Sequence, residues 1–268
     1  MEMQPLLPGL DLQPLFQLAV HHLILMLRVG SFMVAAPFFG ARYLPLQVRI
    51  VVSVVLPLPL QGLVPLPPVE QIAALTGVTL VLGELVLGLA AGTVLMLFFA
   101  AAAKAGDQIA NTAGLGFAAQ FDPSAGAQTP VVSQFFSMLL VMLFVSTDSH
   151  LTALRIVLDS YQAIPPGQGF DAFALVSTGV ATGAALFVLA LKLTLPVATL
   201  LLLLNLAVGV LTRSAPQFNV FSFGFPLTMT ATLLMLLITA PRLGTELEGL
   251  IDMGLAAISG MLGTGHGG

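Results

Sequence analysis

Cysteine is absent from this chain, and charge is scarce: 8 Lys or Arg and 12 Asp or Glu among 268 residues, 7% of the total. Without cysteine there is no disulfide framework and no thiolate metal or redox centre. So few charges cannot clothe a water-soluble globule, which draws on roughly 25% charged residues. Disorder needs low hydrophobicity and many charges, whereas 57% of these residues are hydrophobic. Scattered basic residues and a net charge of −4 form no phosphate-tracking patch, so no nucleic-acid partner is expected. The 4 His, far from any second ligand cluster, leave little for zinc. Basic residues are also missing from Met1 to Pro14, where a cleavable signal would open with positive charge. The first apolar run is therefore expected to stay in the mature protein. What remains is an all-α integral membrane protein.

Apolar runs alternate with short polar breaks. The runs are Leu15 to Ala36, Ile50 to Leu66, Ile72 to Ala103, Val131 to Val145, Phe173 to Leu211 and Phe225 to Ala240. They are helical in length and lack the ~10-residue alternation of barrel strands. They predict about six spans, each needing roughly 20 residues. The third and fifth are too long for one simple crossing, so they must tilt, protrude, or pack where no lipid limits them. Pro196 inside the fifth predicts two helices or one kinked helix. Lys104 to Pro130 is the most polar and Gly-rich interruption, and Arg242 to Gly268 is expected to be a tail.

Few residues could carry chemistry. Arg28, Glu84 and Lys192 lie inside apolar runs, where an unpaired charge costs at least ~2.5–3.5 kcal/mol. Each must face protein or water. Buried, partner-paired charges that fix helix register are favoured over an ion or proton pathway, because no chain of carboxylates or histidines accompanies them. Gly88 with Gly92, and Gly179 with Gly183, are G-x-x-x-G pairs that let another backbone come close, either within the chain or in a neighbouring subunit. Gly114-Leu115-Gly116-Phe117-Ala118-Ala119 matches G-x-G-x-x-A, but neither the preceding strand nor the acidic residue of a dinucleotide site is present, so no cofactor is implied. Irregular backbone is tolerated at membrane depth only where it lines a cavity or packs in protein. Leu115, Phe117 and Phe121 would put apolar bulk into such a cavity, which makes this stretch either a plug or a plain surface loop. Ser–His–Asp spacing, a P-loop and H-E-x-x-H are all missing, so an enzyme is not expected.

The residues Arg213-Ser-Ala-Pro216-Gln217-Phe-Asn219-Val-Phe-Ser-Phe-Gly224-Phe-Pro226 resemble the signature of the FliR family, an export-gate component of bacterial flagellar type III secretion. Other blocks agree in family order: Arg28-Val-Gly-Ser-Phe, Ala36-Pro-Phe-Phe-Gly, Gly83-Glu-Leu-Val-Leu-Gly-Leu-Ala-Ala-Gly, Ala105-Gly-Asp-Gln-Ile, Gly114-Leu-Gly-Phe-Ala and Ser160-Tyr-Gln-Ala-Ile-Pro-Pro-Gly. The resemblance implies a single membrane-embedded domain over residues 1–268. Its N-terminal half, 1–165, would be FliP-like and contain the central plug loop 105–129. Its C-terminal half and tail, 170–268, would be FliQ-like. It implies assembly with FliP and FliQ into a helical hetero-oligomeric cone built of long, kinked or broken helices and hairpins. FlhB would lie on the cytoplasmic side, with FlhA nearby. Unfolded flagellar subunits would pass through, in the bacterial inner membrane at the flagellar basal body, with part of the assembly raised towards the periplasm. The central loop would seal the pore, a role that falls by residue match on Gly114, Leu115, Gly116, Phe117 and Phe121. A homologous subunit of a virulence injectisome gate is the nearest alternative. A secondary transporter for a small solute is the alternative from another class, but it should show internal repeats and a midplane ion site.

Overall fold

The computed structural model describes residues 12–40, 44–114, 131–215, 217 and 223–264. Among these the structure is helical, with no strand. Helix α1 (Gln13–Ala35) starts with Pro14 in its first turn, where a missing N–H goes unmissed, and stops as Ala36 turns extended ahead of Pro37. Helix α2 (Leu46–Val55) follows Pro45 and gives way at Pro57 to a 3₁₀ turn, Leu58–Leu60. A short α3 (Val69–Ile72) leads into α4 (Leu75–Thr112), which runs without interruption for 38 residues.

Helices α5 (Val131–Ser146) and α6 (Ser149–Ala163) meet at a bend of 68°. Asp148 takes the left-handed conformation there, with φ 55. Among non-glycine residues, Asp tolerates that region better than most. Pro165 and Pro166 follow α6 and end it. Helix α7 (Ala172–Ser214) is capped by Asp171, whose Oδ1 accepts the Phe173 and Ala174 amides at 2.9 and 3.0 Å. Helix α8 (Phe225–Met261) carries Pro226 at its start and Pro241 within it.

Four helices are long and apolar enough to cross a membrane: α1, α4, α7 and α8. The bent pair α5–α6 brings the count to five if taken as one crossing. The expected six is thus reduced. The run from Ile50 to Leu66 forms no helix long enough to cross, because Pro57 and Pro59 hold its helix to ten residues. Two other boundaries differ from the sequence reading. Residues 105–112 of the expected loop 105–129 are helical and finish α4. The expected tail after Arg242 is helical through Met261. Of the two readings Pro196 allowed, two helices or one, the structure has one helix.

The chain forms two compact units. The first draws on Met1–Met96, His150–Gly179 and Leu255–Gly268. Its core contains Leu25, Val29, Phe32 and Met33 of α1, Leu87, Ala91 and Leu95 of α4, and Ala153, Val157 and Tyr161 of α6. The spacings of three and four place each set on one helix face. The second unit draws on Leu97–Ser149 and Val180–Gly254. Its buried residues include Ala101, Ala102, Ala105 and Ile109 of α4 with Phe136, Leu140 and Phe144 of α5. Phe99 meets Phe144 edge-on at 5.2 Å. The two helices nearly touch at Gly106, where a Cβ would stand 2.6 Å from Ser133 Cα and 2.7 Å from the Val132 oxygen. Ser133 Oγ donates to the Ala103 carbonyl at 2.8 Å beside that contact.

Burial is uneven. Over their most apolar stretch, α4 is 56% buried but α7 only 28% and α8 only 17%. Helix α4 is therefore the core helix of the chain, whereas α7 and α8 present apolar faces outward. A Gly106→Val substitution is expected to cost about 1–3 kcal/mol through overpacking. It should lower the heat-aggregation midpoint of the detergent-solubilised chain. An unchanged midpoint would contradict the close approach of α4 and α5.

Candidate functional site

The first unit is organised around one buried cation. Arg28 sits on α1 with no exposed surface, and Glu84 on α4 is 2% exposed. Nε of Arg28 donates to Glu84 Oε2 and Nη2 to Oε1, each at 2.9 Å. This is the two-pronged geometry that suits a planar guanidinium to a carboxylate. Nη1 donates to Ser160 Oγ at 2.9 Å, and Nη2 also donates to the Ile164 carbonyl at 2.8 Å. The guanidinium carbon lies 4.3 Å from the centre of the Tyr161 ring. Tyr161 in turn donates its hydroxyl to the Leu25 carbonyl, one turn before Arg28. Three helices far apart in sequence, α1, α4 and α6, are thereby tied to one side chain.

Glu84, Gly88 and Gly92 succeed one another every four residues and form a single stripe on α4. Helix α1 lies against that stripe. A Cβ at Gly88 would fall on Ser31 Oγ and the Arg28 carbonyl oxygen. A Cβ at Gly92 would stand 2.6 Å from Ala35 Cβ and 2.9 Å from the Ala36 nitrogen. The glycines let the α1 backbone come close enough for the Arg28 fork to reach Glu84. Gly179 and Gly183 on α7 differ: nothing lies within 4 Å of a Cβ at either position.

Glu84 also lines a hollow of about 490 Å³ together with Gln71, Thr76, Thr79 and Gln168. Pro67, Leu80, Leu87 and Phe170 line it as well, so its walls are mixed polar and apolar. The arrangement holds a charge pair and anchors helices. Among the described residues no group of three or more His, Asp or Glu could hold a metal ion.

In the second unit the end of α4 is held from two sides. Asn205 Nδ2 on α7 donates to the Thr112 carbonyl at 3.0 Å. The buried Thr228 hydroxyl on α8 lies 3.2 Å from the Ala113 carbonyl and 3.0 Å from that of Phe225. These side chains reach carbonyls that a helix end leaves without an internal donor. Gly114 follows with φ 81, a left-handed exit that glycine adopts without strain. Leu115, Gly116, Phe117 and Phe121 lie outside the described residues, as do Pro216 and Asn219.

The remaining sequence candidates are dispersed. Lys192 is exposed on α7 and does not pair with Glu84, whose partner is Arg28. Arg213 is exposed in the last turn of α7, where a cation complements the helix dipole. Gln217 is exposed, Gly224 is buried, and Pro226 is exposed at the start of α8. Sequence reasoning did not single out Ser160, Tyr161, Asn205 or Thr228 as site residues. A signal existed for the first two: with Ala153 and Val157 they fall on one face of α6, where polar groups among apolar ones call for a buried partner.

The model of the bacterial export proteins, family 1, matches residues 19–254. The chain is 34% identical over 215 residues to the flagellar biosynthetic protein FliR of Pectobacterium carotovorum subsp. carotovorum, covering 80% of this chain and 82% of the relative. It is 30% identical over 228 residues to that of Escherichia coli K12, covering 85% and 87%. With that of Bacillus subtilis 168 it shares 30% over 232 residues, covering 85% and 87%. The matched span takes in Arg28, Glu84, both glycine pairs, Gly114 and Lys192.

A Gly88→Val substitution is expected to destabilise the chain by several kcal/mol, because the collision is with backbone and leaves no room to relax. Gly179→Val should be close to neutral in the isolated chain. Thermal unfolding of both variants in detergent tests this. Equal effects would contradict the assignment of Gly88 to internal packing.

Proposed function

This chain belongs to the bacterial export proteins, family 1, and on that premise we propose that it is a structural subunit of the flagellar type III export gate. With FliP and FliQ it forms the channel through which unfolded flagellar subunits cross the inner membrane at the basal body. FlhB lies on its cytoplasmic side and FlhA nearby. Residues 1–165 act as the FliP-like half and 170–268 as the FliQ-like half, with part of the assembly raised towards the periplasm. The protein does no covalent chemistry itself: its charged core groups are consumed in holding helices together.

The observation that carries this reading is the family match across residues 19–254, nearly the whole chain. The outward apolar faces of α7 and α8 supply the physical complement. Helices that bury so little of themselves within the chain are suited to being sheathed by neighbours. Gly179 and Gly183, open in the isolated chain, offer such a neighbour a close approach.

The loop that follows Gly114 serves as the plug. A conduit wide enough for an unfolded polypeptide must not leak ions at rest. Leu115, Phe117 and Phe121 seal it by excluding water, and Gly114 and Gly116 let the segment yield to a passing chain. The grip of Asn205 and Thr228 on the end of α4 supports this role, because a plug needs a fixed root. Deleting residues 114–121 from the assembled complex is expected to raise resting ion flux across proteoliposomes while assembly persists. Unchanged flux in a correctly assembled deletion variant would rule out the plug.

A further inference from the structure

Lys192 is placed where its own chain gives it no partner among the described residues. It stands 20 residues from the first residue of α7 and 22 from the last. At 1.5 Å per residue each end is about 30 Å away, far beyond the reach of a lysine stem. Lys192 lies at the middle of the apolar run Phe173 to Leu211. Lys192 is exposed, and so are its neighbours Val188, Leu191 and Leu195. The ammonium projects from an apolar outer face.

The surroundings leave one positive charge over. Lys192 borders a small hollow with Pro196, Thr239, Arg242 and Glu246. The one carboxylate there, Glu246, is engaged at 3.7 Å by Arg242, one turn before it on α8. No hydrogen bond or ion pair involves Lys192 among the described residues. Pro196, four residues on, has no N–H to give to the Lys192 carbonyl. The same spot thus combines an uncompensated cation with a main-chain oxygen denied its usual donor.

We infer that Lys192 marks a docking face for another membrane protein of the gate, whose apolar helix presents a carboxylate to the ammonium midway along α7. The apolar surroundings call for a helix rich in Leu, Val or Phe. The surplus charge calls for a single Asp or Glu within it. A charge-assisted contact of this kind, dry and deep, specifies register and partner, because a misplaced helix leaves both charges unpaired. A second copy of this chain is a poorer occupant. Its carboxylates Glu84 and Glu246 are already engaged by Arg28 and Arg242.

The inference rests on the reading of the chain as a gate subunit, and the test separates the two. The full chain and its Lys192→Met, Lys192→Arg and Lys192→Glu variants would be expressed with the other gate proteins in a motile host lacking its own homologue. Motility, the yield of assembled complex on native gels, and the heat stability of each chain purified alone would be measured. Wild type should restore motility and assemble. Failure of wild type would count against the gate reading itself. Lys192→Met should leave the isolated chain no less heat-stable, since Lys192 has no internal partner to lose. It should lower the yield of complex about tenfold or more, as expected when a buried carboxylate loses its cation. Lys192→Glu should be worse, and Lys192→Arg should retain most of the assembly. Selection for regained motility in Lys192→Glu should return an acidic-to-basic change in an apolar helix of another gate protein. Undiminished assembly of Lys192→Met beside a functional wild type would overturn the inference and leave the gate reading standing. So would loss of bound anionic phospholipid, measured by native mass spectrometry, with assembly unchanged. Suppressors confined to this chain would also overturn it.

Discussion

One buried guanidinium sets the geometry of the first unit. Taking Arg28 out of water is expensive, and only near-complete satisfaction of its donors makes the position tolerable. Glu84 takes two of them, Ser160 and Ile164 one each, and Tyr161 covers a face of the plane. Every one of these partners must be in register at once. The pair is a weak source of net stability but a strong source of specificity, since a shift of one turn along α1 or α4 would strand both charges. The glycine stripe follows from the same demand. A fork that closes at 2.9 Å requires the backbones of α1 and α4 to approach closely, and side chains at Gly88 and Gly92 would keep them apart.

The second unit solves a different problem. Helix α4 ends in carbonyls without internal donors, and Asn205 and Thr228 meet them from the two long C-terminal helices. The end of the core helix is thereby fixed by elements that otherwise turn apolar surface outward. Long helices of 38, 43 and 37 residues exceed what a bilayer asks of a span. Their length is intelligible if neighbouring polypeptides, more than lipid, form their surroundings. Lys192 stands on the same outward surface, exposed among Val188, Leu191 and Leu195.

Much of this architecture is readable from residue order. The charge deficit and the apolar runs identify a helical membrane protein, and the runs at 15–36 and 131–145 correspond closely to α1 and α5. Gly88 and Gly92 mark a close helix contact, but Gly179 and Gly183 share the spacing and meet nothing within 4 Å, so packing and not spacing decides. The partner of Glu84 is not readable, because Arg28 lies 56 residues away and only packing brings the two together. Hydropathy also misplaces what prolines decide locally. Pro57 and Pro59 cut short a run that looks long enough to cross, while Pro196 and Pro241 sit inside helices that continue. The helical stretch 105–112 hides behind its polarity: Lys104 and Asp107 pair at 2.9 Å on an exposed face, while Ala105, Ile109 and Ala110 are buried on the other. Such a face pattern is amphipathic helix, but the surrounding glycines make it read as loop.

The central claim is that Arg28 and Glu84 stabilise the first unit as a pair and not as separate groups. A double-mutant cycle on the detergent-solubilised chain measures this directly, using Arg28→Met, Glu84→Met and the two combined. Each single substitution should destabilise by about 3–5 kcal/mol, because it leaves an uncompensated buried charge, and the double variant should recover most of that loss. Additive losses, with the double variant worse than either single one, would contradict the claim.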